Sequence, residues 1–205
     1  VILNSSTVHL GGSRNNNTSE NIGDLVFQSG FNTIRLDADT LGNNFAYLNP
    51  NVFLRSNYAS AFIRGELLGE PAGTNFYTRL AKDNARPAPT LTHSIGGSNT
   101  PSVGIVHWAY GQDDTKAAEG LNANMGLVTY DDAGTTDNGF RLLRGGEYNT
   151  NDFDLGGNVW ATTTGTIAIQ SNTTIQGLVY QKGNTASATV LQLSNSVLNI
   201  SSGAL

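Results

Sequence analysis

The fold is decided by the stretch GTIAIQSNTTIQGLVYQKGNTASATVLQLSNSVLNISSGAL, residues 165–205. Apolar and polar side chains alternate there in short runs, as at Ile167 and Ile169 and again at Leu198 and Ile200. A period of two residues is typical of β-strands with one buried face. Gly, Asn, Ser and Thr separate the runs, so each predicted strand offers two or three inward apolar side chains before a polar corner.

The same alternation recurs towards the start of the chain, at Val8 and Leu10 and at Ile34 and Leu36. Spacing alone does not distinguish a parallel β-helix from an antiparallel β-sandwich or meander, because both place alternate side chains inward. From the residue pattern, both architectures stay open.

The composition suits many short strands and tight turns. Charged residues make up 13% of the 205 residues, against about 25% in typical soluble domains, and 24 glycines are present. Gly and Asn accept the positive φ angles of turns, while Val and Thr favour extended backbone. The sequence therefore predicts an all-β protein with little helix.

Charge and cysteine content exclude several classes of partner. The net charge of −5 and the absence of a Lys/Arg cluster argue against nucleic acid. No apolar run approaches the roughly 20 residues of a membrane helix, so no membrane-spanning segment is predicted. Cysteine is absent, which excludes disulfides and thiolate metal sites and suits a protein that is exported unfolded.

We expect residues 1–205 to form a single β-solenoid segment, part of a longer chain. Within it, residues 70–101 are predicted to be a loop or insertion, since they hold Pro71, Pro87, Pro89 and Pro101. The segment TKAAEGLNANMG, residues 115–126, is predicted to form at most one or two helical turns.

The order of three C-terminal motifs resembles the passenger-associated repeats of bacterial autotransporters. RLLRGGEY, from Arg141 to Tyr148, is similar to the R-x-L-x-x-x-E-Y element of that family. Thr174, Ile175 and Leu178 match the following T-T-I-x-x-L strand, and residues 191–205 match the L-x-L…L-x-I-x-S-G-x-L strand pair. The upstream segments LVFQSGFNTIRLDA, ASAFIRGELLGEPAG and HSIGGSNTPSVGIVHWAYG look like the parts that usually precede these motifs.

The resemblance implies a right-handed parallel β-helix displayed on the outer surface of a Gram-negative bacterium. It implies a structural or adhesive module, a spacer, filament or adhesin element without enzyme activity. The alternative is a β-helix that binds or cleaves polysaccharide. Coils of about 20 to 25 residues would give roughly eight to ten coils, less whatever the Pro-rich segment removes. The expected partners are neighbouring copies or further repeats stacked end to end, and surface glycans.

Clustered carboxylates are the first candidates for chemistry, because polysaccharide-cleaving enzymes use one as an acid and another as a base or nucleophile. The adjacent pairs are Asp113–Asp114 and Asp131–Asp132. Adjacent strand residues point to opposite faces, so each pair places only one carboxylate in a groove. We therefore interpret them as turn acids and predict no catalytic residue.

Metal sites and cofactors are not predicted either. Asp152, Asp154 and Gly156 resemble part of a calcium loop, but Thr163 occupies the twelfth position, where a bidentate Glu is needed. An Asx-turn explains this segment better. The histidines have no metal-like spacing, being His9, His93 and His107.

One aromatic segment, IVHWAYG, offers weak candidates for ligand binding. Trp108 and Tyr110 could stack on a sugar ring if their faces are exposed. Aromatic residues of β-rich proteins more often pack in the core. The sequence does not identify the ligand.

Overall fold

The computed structural model describes residues 1–13, 15–39, 44–70, 76–83, 85–92, 96–114, 125–132, 139–162, 165–180 and 189–204. Strands account for 59% of the structure and helical turns for 2%, and the architecture is a parallel β-solenoid of about 6 turns. The all-β solenoid prediction is thus confirmed. The chain divides into unit 1, Val1–Thr90 with Trp108–Leu142, and unit 2, Leu91–His107 with Leu143–Leu205.

Unit 1 contains the first twelve strands among the described residues. They are β1 (Ile2–Asn4), β2 (Thr7–Gly11), β3 (Thr18–Ile22), β4 (Leu25–Ser29), β5 (Phe31–Asp37), β6 (Phe45–Pro50), β7 (Phe53–Arg55), β8 (Ser60–Gly65), β9 (Tyr77–Leu80), β10 (Ala109–Asp113), β11 (Met125–Asp131) and β12 (Gly139–Leu142). Three successive strands make one coil, because β1 pairs with β4, β2 with β5 and β3 with β6, all in parallel.

The coils are fewer than expected, and they differ in length. One turn of the chain leads from Ile2 to its strand partner Val26, whereas a longer turn leads from Phe45 to its partner Tyr77. About 6 turns are present, fewer than the eight to ten expected before the Pro-rich segment is subtracted. The coils formed by β1–β9 carry three strands each and loops of unequal length, which consume more chain than a regular repeat.

Among the described strands, antiparallel pairing is confined to one end of the largest sheet. This sheet has the strand order β12-β11-β10-β8-β5-β2, and its β2–β5, β5–β8 and β8–β10 pairs are parallel. Strand β11 then pairs antiparallel with both β10 and β12. The antiparallel sandwich is thus not the architecture, although its pairing mode occurs locally.

Inward residues of successive strands form the apolar core of unit 1. Ile34, Leu36 and Ile63 are fully buried, and strands β6 and β8 alternate between buried and half-buried positions. Burial of each such side chain stabilises the fold by about 1.5–3 kcal/mol relative to exposure. The period-two pattern therefore identified the inward face correctly.

An aromatic cluster lies in the core of unit 1. The ring of Phe140 is fully buried and meets Phe53 edge-on at a centroid distance of 4.9 Å and Tyr130 at 5.2 Å. Burial raises the pKa of Tyr130 to about 12, and its hydroxyl accepts the Lys82 backbone N–H at 2.9 Å. Edge-to-face geometry adds to the stabilisation from burial.

Unit 2 contains the remaining strands of the described residues. They are β13 (Asn149–Thr150), β14 (Asn158–Ala161), β15 (Gly165–Ile169), β16 (Thr173–Tyr180), β17 (Thr189–Leu193) and β18 (Leu198–Ala204). They pair in parallel as β13-β14-β16-β18 and as β15-β17. Phe153, Val159, Ile175 and Leu178 form the core, with Leu198 among the residues packed against it.

Buried polar groups connect the strands of unit 2 to its loops. Glu147 is fully buried at the end of a 3-10 turn and accepts the backbone N–H groups of Arg144 at 2.8 Å and Asn99 at 3.0 Å. The Gln176 amide donates to the Val103 carbonyl at 2.9 Å. Such groups are tolerated in the interior because they are hydrogen-bonded.

The remaining organisational predictions stay predictions. The range 70–101 contains strand β9 as well as non-strand segments, and the helical turns predicted within 115–126 fall mostly on residues 115–124, outside the described residues. The chain divides into two compact units. That residues 1–205 form a single solenoid segment stays a prediction. In the described part of the chain, no helix has the length and apolar character needed to cross a membrane.

Candidate functional site

Three carboxylates from successive coils meet on unit 1, and we name Asp37, Glu66 and Asp114 the acidic ladder. One oxygen from each lies within 4.8 Å of the others. The strand register causes this meeting, because Leu36 pairs with Gly65 and Gly65 pairs with Asp113. The residue after each of these partners therefore stacks at the same edge of the sheet.

Cationic side chains neutralise two members of the acidic ladder. Asp37 accepts from Arg35 Nε at 2.8 Å and contacts His9 Nε2 at 2.7 Å. Arg64 reaches Asp114 with two nitrogens, at 2.9 and 3.0 Å. A two-pronged guanidinium–carboxylate pair is among the stronger ion pairs.

The members of the ladder differ in acidity. Burial alone would raise the pKa of Asp37, but hydrogen bonds from Arg35 and His9 outweigh it and leave this pKa below its ordinary value. Burial raises the pKa of Glu66, and the neighbouring Asp37 and Asp114 charges raise it further. The Ala38 N–H, which donates to Glu66 at 2.7 Å, only partly opposes this shift.

Two kinds of chemistry are open to such a group. Carboxylate oxygens at this spacing could ligate a hard cation, and two carboxyls of unequal pKa could serve as acid and base. Arg35 and Arg64 already balance the charge of Asp37 and Asp114, however. Asp37 and Asp114 are therefore also explained as the partners of Arg35 and Arg64, and the Arg64–Asp114 pair joins successive coils.

Sequence reasoning missed the acidic ladder, although a signal was present. The segments Ile34-Arg35-Leu36-Asp37 and Ile63-Arg64-Gly65-Glu66 repeat one pattern, Ile-Arg-x-acid. The repeat reflects the register of successive coils, because Ile34 pairs with Ile63 and Arg35 with Arg64. A search for this four-residue pattern would have placed Asp37 beside Glu66.

A second feature of unit 1 is a half-open polar depression of about 410 Å³, which we name the amide depression. It is lined by Asn21, Asn49, Asn51, Lys82 and Asp83. Asn21 pairs with Asn49 across β3 and β6, and the Asp83 N–H donates to the Pro50 carbonyl at 3.0 Å. Three successive coils therefore contribute to it.

The polar side chains that line the amide depression differ in whether they already have a hydrogen-bond or ion-pair partner. The Lys82 side chain is 2% exposed and its Nζ lies 2.7 Å from Asp132. The Asn49 amide donates to the Ser19 hydroxyl at 3.1 Å. The exposed Asn21 and Asn51 amides make no hydrogen bond to any described residue.

On strands β6 and β9, aromatic rings pack on one another. Phe45 stacks on Tyr47 at a centroid distance of 4.0 Å, and the Arg79 guanidinium lies 4.9 Å from the centre of the Tyr47 ring. The hydroxyls of Tyr47 and Tyr77 are hydrogen-bonded. Tyr47 is thus engaged in packing within its own sheet.

The two aromatic residues predicted from the sequence as weak ligand candidates also pack internally. Half-buried Trp108 contacts Phe27 at a ring-centroid distance of 5.1 Å and Phe140 at 6.2 Å. Tyr110 lies in β10 opposite Phe62, and burial raises the pKa of its hydroxyl. Their role in ligand binding stays a prediction.

The adjacent carboxylate pairs separate in space, as residues on opposite strand faces do. Asp113 accepts the Leu67 N–H at 2.9 Å, whereas Asp114 joins the acidic ladder. Asp131 contacts Arg141 at 2.5 Å, and Asp132 contacts Lys82. Of these four carboxylates, only that of Asp114 belongs to a cluster of three carboxylates among the described residues.

The metal candidates form no group of three ligands among the described residues. The Asp152 carboxylate accepts the Asp154 N–H at 3.0 Å, which is the geometry of an Asx-turn, and Gly156 has φ of +67°. His9 contacts Asp37 and His107 contacts Thr92 at 2.7 Å. His93 lies outside the described residues.

No family model, curated protein or solved structure matches the chain.

Proposed function

We propose that this chain is a structural and adhesive module, a spacer, filament or adhesin element of an autotransporter-like protein on the outer surface of a Gram-negative bacterium. The observation that carries the proposal is the stack of parallel strands in unit 1, β2-β5-β8-β10, whose inward residues form a continuous apolar core. Such a stack extends by adding coils, each of which buries the apolar face of the one before it.

Open strand edges support the idea that further coils add to this stack. Among the described residues, β1, β2 and β3 each pair on one side only. Ile2 in β1 is 64% exposed. Unpaired edge strands readily accept another strand, so we expect a further coil against this edge, from the same polypeptide or from a neighbouring copy.

The surface location rests on the sequence motifs. Thr174, Ile175 and Leu178 lie in β16, and the strand pair predicted from residues 191–205 corresponds to β17 and β18. Two of the three motifs that resemble autotransporter repeats thus lie on paired parallel strands, whereas Arg141–Tyr148 spans the end of β12 and a 3-10 turn. Low charge and the absence of cysteine suit export and stacking.

Sedimentation velocity of the isolated chain over a range of concentrations tests the stacking of coils. We expect a sedimentation coefficient that rises with concentration and falls back towards the monomer value in Ile2→Lys, because a charged side chain at an edge opposes strand addition. Tyr58→Lys, at a position that is 95% exposed and outside the strands, is the matched control and should behave as the wild type. A monomer at every concentration would contradict the stacking.

A second candidate function is polysaccharide cleavage at the acidic ladder. It is favoured by two carboxyls whose pKa values are shifted in opposite directions, with that of Glu66 raised and that of Asp37 lowered. Reducing-end release from a panel of bacterial and plant polysaccharides tests it. Activity that disappears in Glu66→Gln would establish cleavage, whereas equal background release from wild type and variant would exclude it for that panel.

A further inference from the structure

We propose that the amide depression binds one neutral sugar residue, an inference that rests on the adhesive part of the proposed function. Asn21, Asn49 and Asn51 are the recognition residues, with Asp83 beside them. The site differs from the Trp108–Tyr110 segment, whose Trp108 ring packs against aromatic rings of the core.

The size of the depression limits the ligand. Its volume of about 410 Å³ lies at the lower end of the roughly 300–1,000 Å³ range of small-molecule sites. A monosaccharide fits that space, and a longer glycan would place one residue inside and the others in solvent. Recognition is therefore of a single sugar unit.

The polar groups of the depression match sugar hydroxyls. A hydroxyl both donates and accepts hydrogen bonds, and a side-chain amide offers two donors and an acceptor. The Asn21 and Asn51 amides make no hydrogen bond to any described residue, and the Asn49 amide nitrogen is held by Ser19. The strand pairing of Asn21 with Asn49 fixes the spacing of these groups before a ligand arrives.

The charge distribution favours a neutral ligand over an anion. Lys82 is the cation of the depression, and its ammonium group is paired with Asp132 at 2.7 Å. The Asp83 carboxylate also lines the space and would repel a phosphate or an acidic sugar. Neutral hydroxyls can instead donate to this carboxylate.

Side-chain amide NMR of the complete ¹⁵N-labelled chain tests the proposal directly. The probes are the methyl glycosides of glucose, mannose, galactose and N-acetylglucosamine, each titrated separately. We expect at least one of them to shift the NH₂ signals of Asn21, Asn49 and Asn51 in a saturable manner. In the double variant Asn21→Ala, Asn51→Ala the affinity should fall about tenfold, because two hydrogen bonds are lost.

The matched control is Asn199→Ala, which removes an exposed asparagine from β18. Its affinity should equal that of the wild type. Unshifted amide signals with all four glycosides, or an undiminished affinity in the double variant, would overturn the proposed sugar site. Either result leaves the sedimentation test of coil stacking intact, so failure of the site is distinguishable from failure of the structural proposal.

Discussion

Units 1 and 2 build parallel strands in different ways. In the first coils of unit 1, each strand pairs with the third strand after it, as β1 does with β4. In unit 2, the described strands pair at shorter intervals, since β13 pairs with β14 directly and β16 with β18 across one intervening strand. Buried polar groups such as Glu147 hold the loops there. Regular and irregular strand pairing thus both bury apolar side chains together with hydrogen-bonded polar groups, such as Asn32 in unit 1 and Glu147 in unit 2.

The two tryptophans allow the units to be followed separately. Trp108 lies in unit 1 and Trp160 in unit 2. A Trp160→Phe background therefore reports the unfolding of unit 1 by fluorescence, and a Trp108→Phe background reports that of unit 2.

The largest effect is expected from Phe140→Ala in the aromatic cluster of unit 1. Removal of this fully buried ring should lower the free energy of unfolding by about 3–5 kcal/mol, through lost burial and a cavity. Urea unfolding followed through Trp108 measures it. Phe31→Ala is the control, because Phe31 is 60% exposed and its removal should cost far less. Equal losses in both variants would contradict the core assignment.

A somewhat smaller effect is expected from Glu147→Ala in unit 2. The substitution leaves the backbone N–H groups of Arg144 and Asn99 without their carboxylate acceptor, at a cost of about 2–4 kcal/mol in the free energy of unfolding. Urea unfolding followed through Trp160 measures it. Glu147→Gln retains one acceptor oxygen and should lose less. If Glu147→Ala unfolds at the same urea concentration as the wild type, the hydrogen bonds that Glu147 accepts do not stabilise unit 2.

The smallest effect is expected from Glu66→Gln in the acidic ladder. This substitution should raise the free energy of unfolding, whereas the two others lower it. Because the pKa of Glu66 is raised above its ordinary value of 4.5, its protonated form stabilises the fold at low pH, and that stability is lost as pH rises through the folded pKa. Glutamine keeps an acceptor for the Ala38 N–H without the charge. At neutral pH we expect a gain of about 0.5 kcal/mol, reduced by solvent screening.

The pH dependence of the free energy of unfolding distinguishes removal of the Glu66 charge from a general effect of a surface substitution. The gain in Glu66→Gln should disappear below pH 4.5, where the carboxyl is protonated in both states. The lowered pKa of Asp37 acts in the other direction, because its stabilisation is present above its ordinary value of 3.8 and is lost as pH falls. A gain that is independent of pH would refute repulsion within the ladder.

The sequence predicted the strands and their inward faces well. Alternation at Ile34 and Leu36 identified two fully buried positions, because a period of two directly reports which side chains share a face. The motif from Arg141 to Tyr148 drew attention to Arg141 and Glu147, both of which are buried and charged.

Register and site geometry were much less predictable. Asp37 ends β5 and Glu66 follows β8, and these two strands pair directly in successive coils. The chain between Glu66 and Asp114, in contrast, passes through β9 and a long connection. The intervals between the three carboxylates are therefore unequal, and no fixed repeat joins them. The amide depression depends likewise on the pairing of Asn21 with Asn49, which local composition does not specify.

Hydrogen exchange of the backbone amides at low and high protein concentration is the most direct test that the open edge of unit 1 accepts another coil. The prediction is that the alternate amides of β2 that point away from β5, its partner in the described structure, exchange quickly in dilute solution and become protected at high concentration. Amides in β5, which pairs with both β2 and β8, should be protected at both concentrations. Protection of β2 that does not change with concentration would contradict the account.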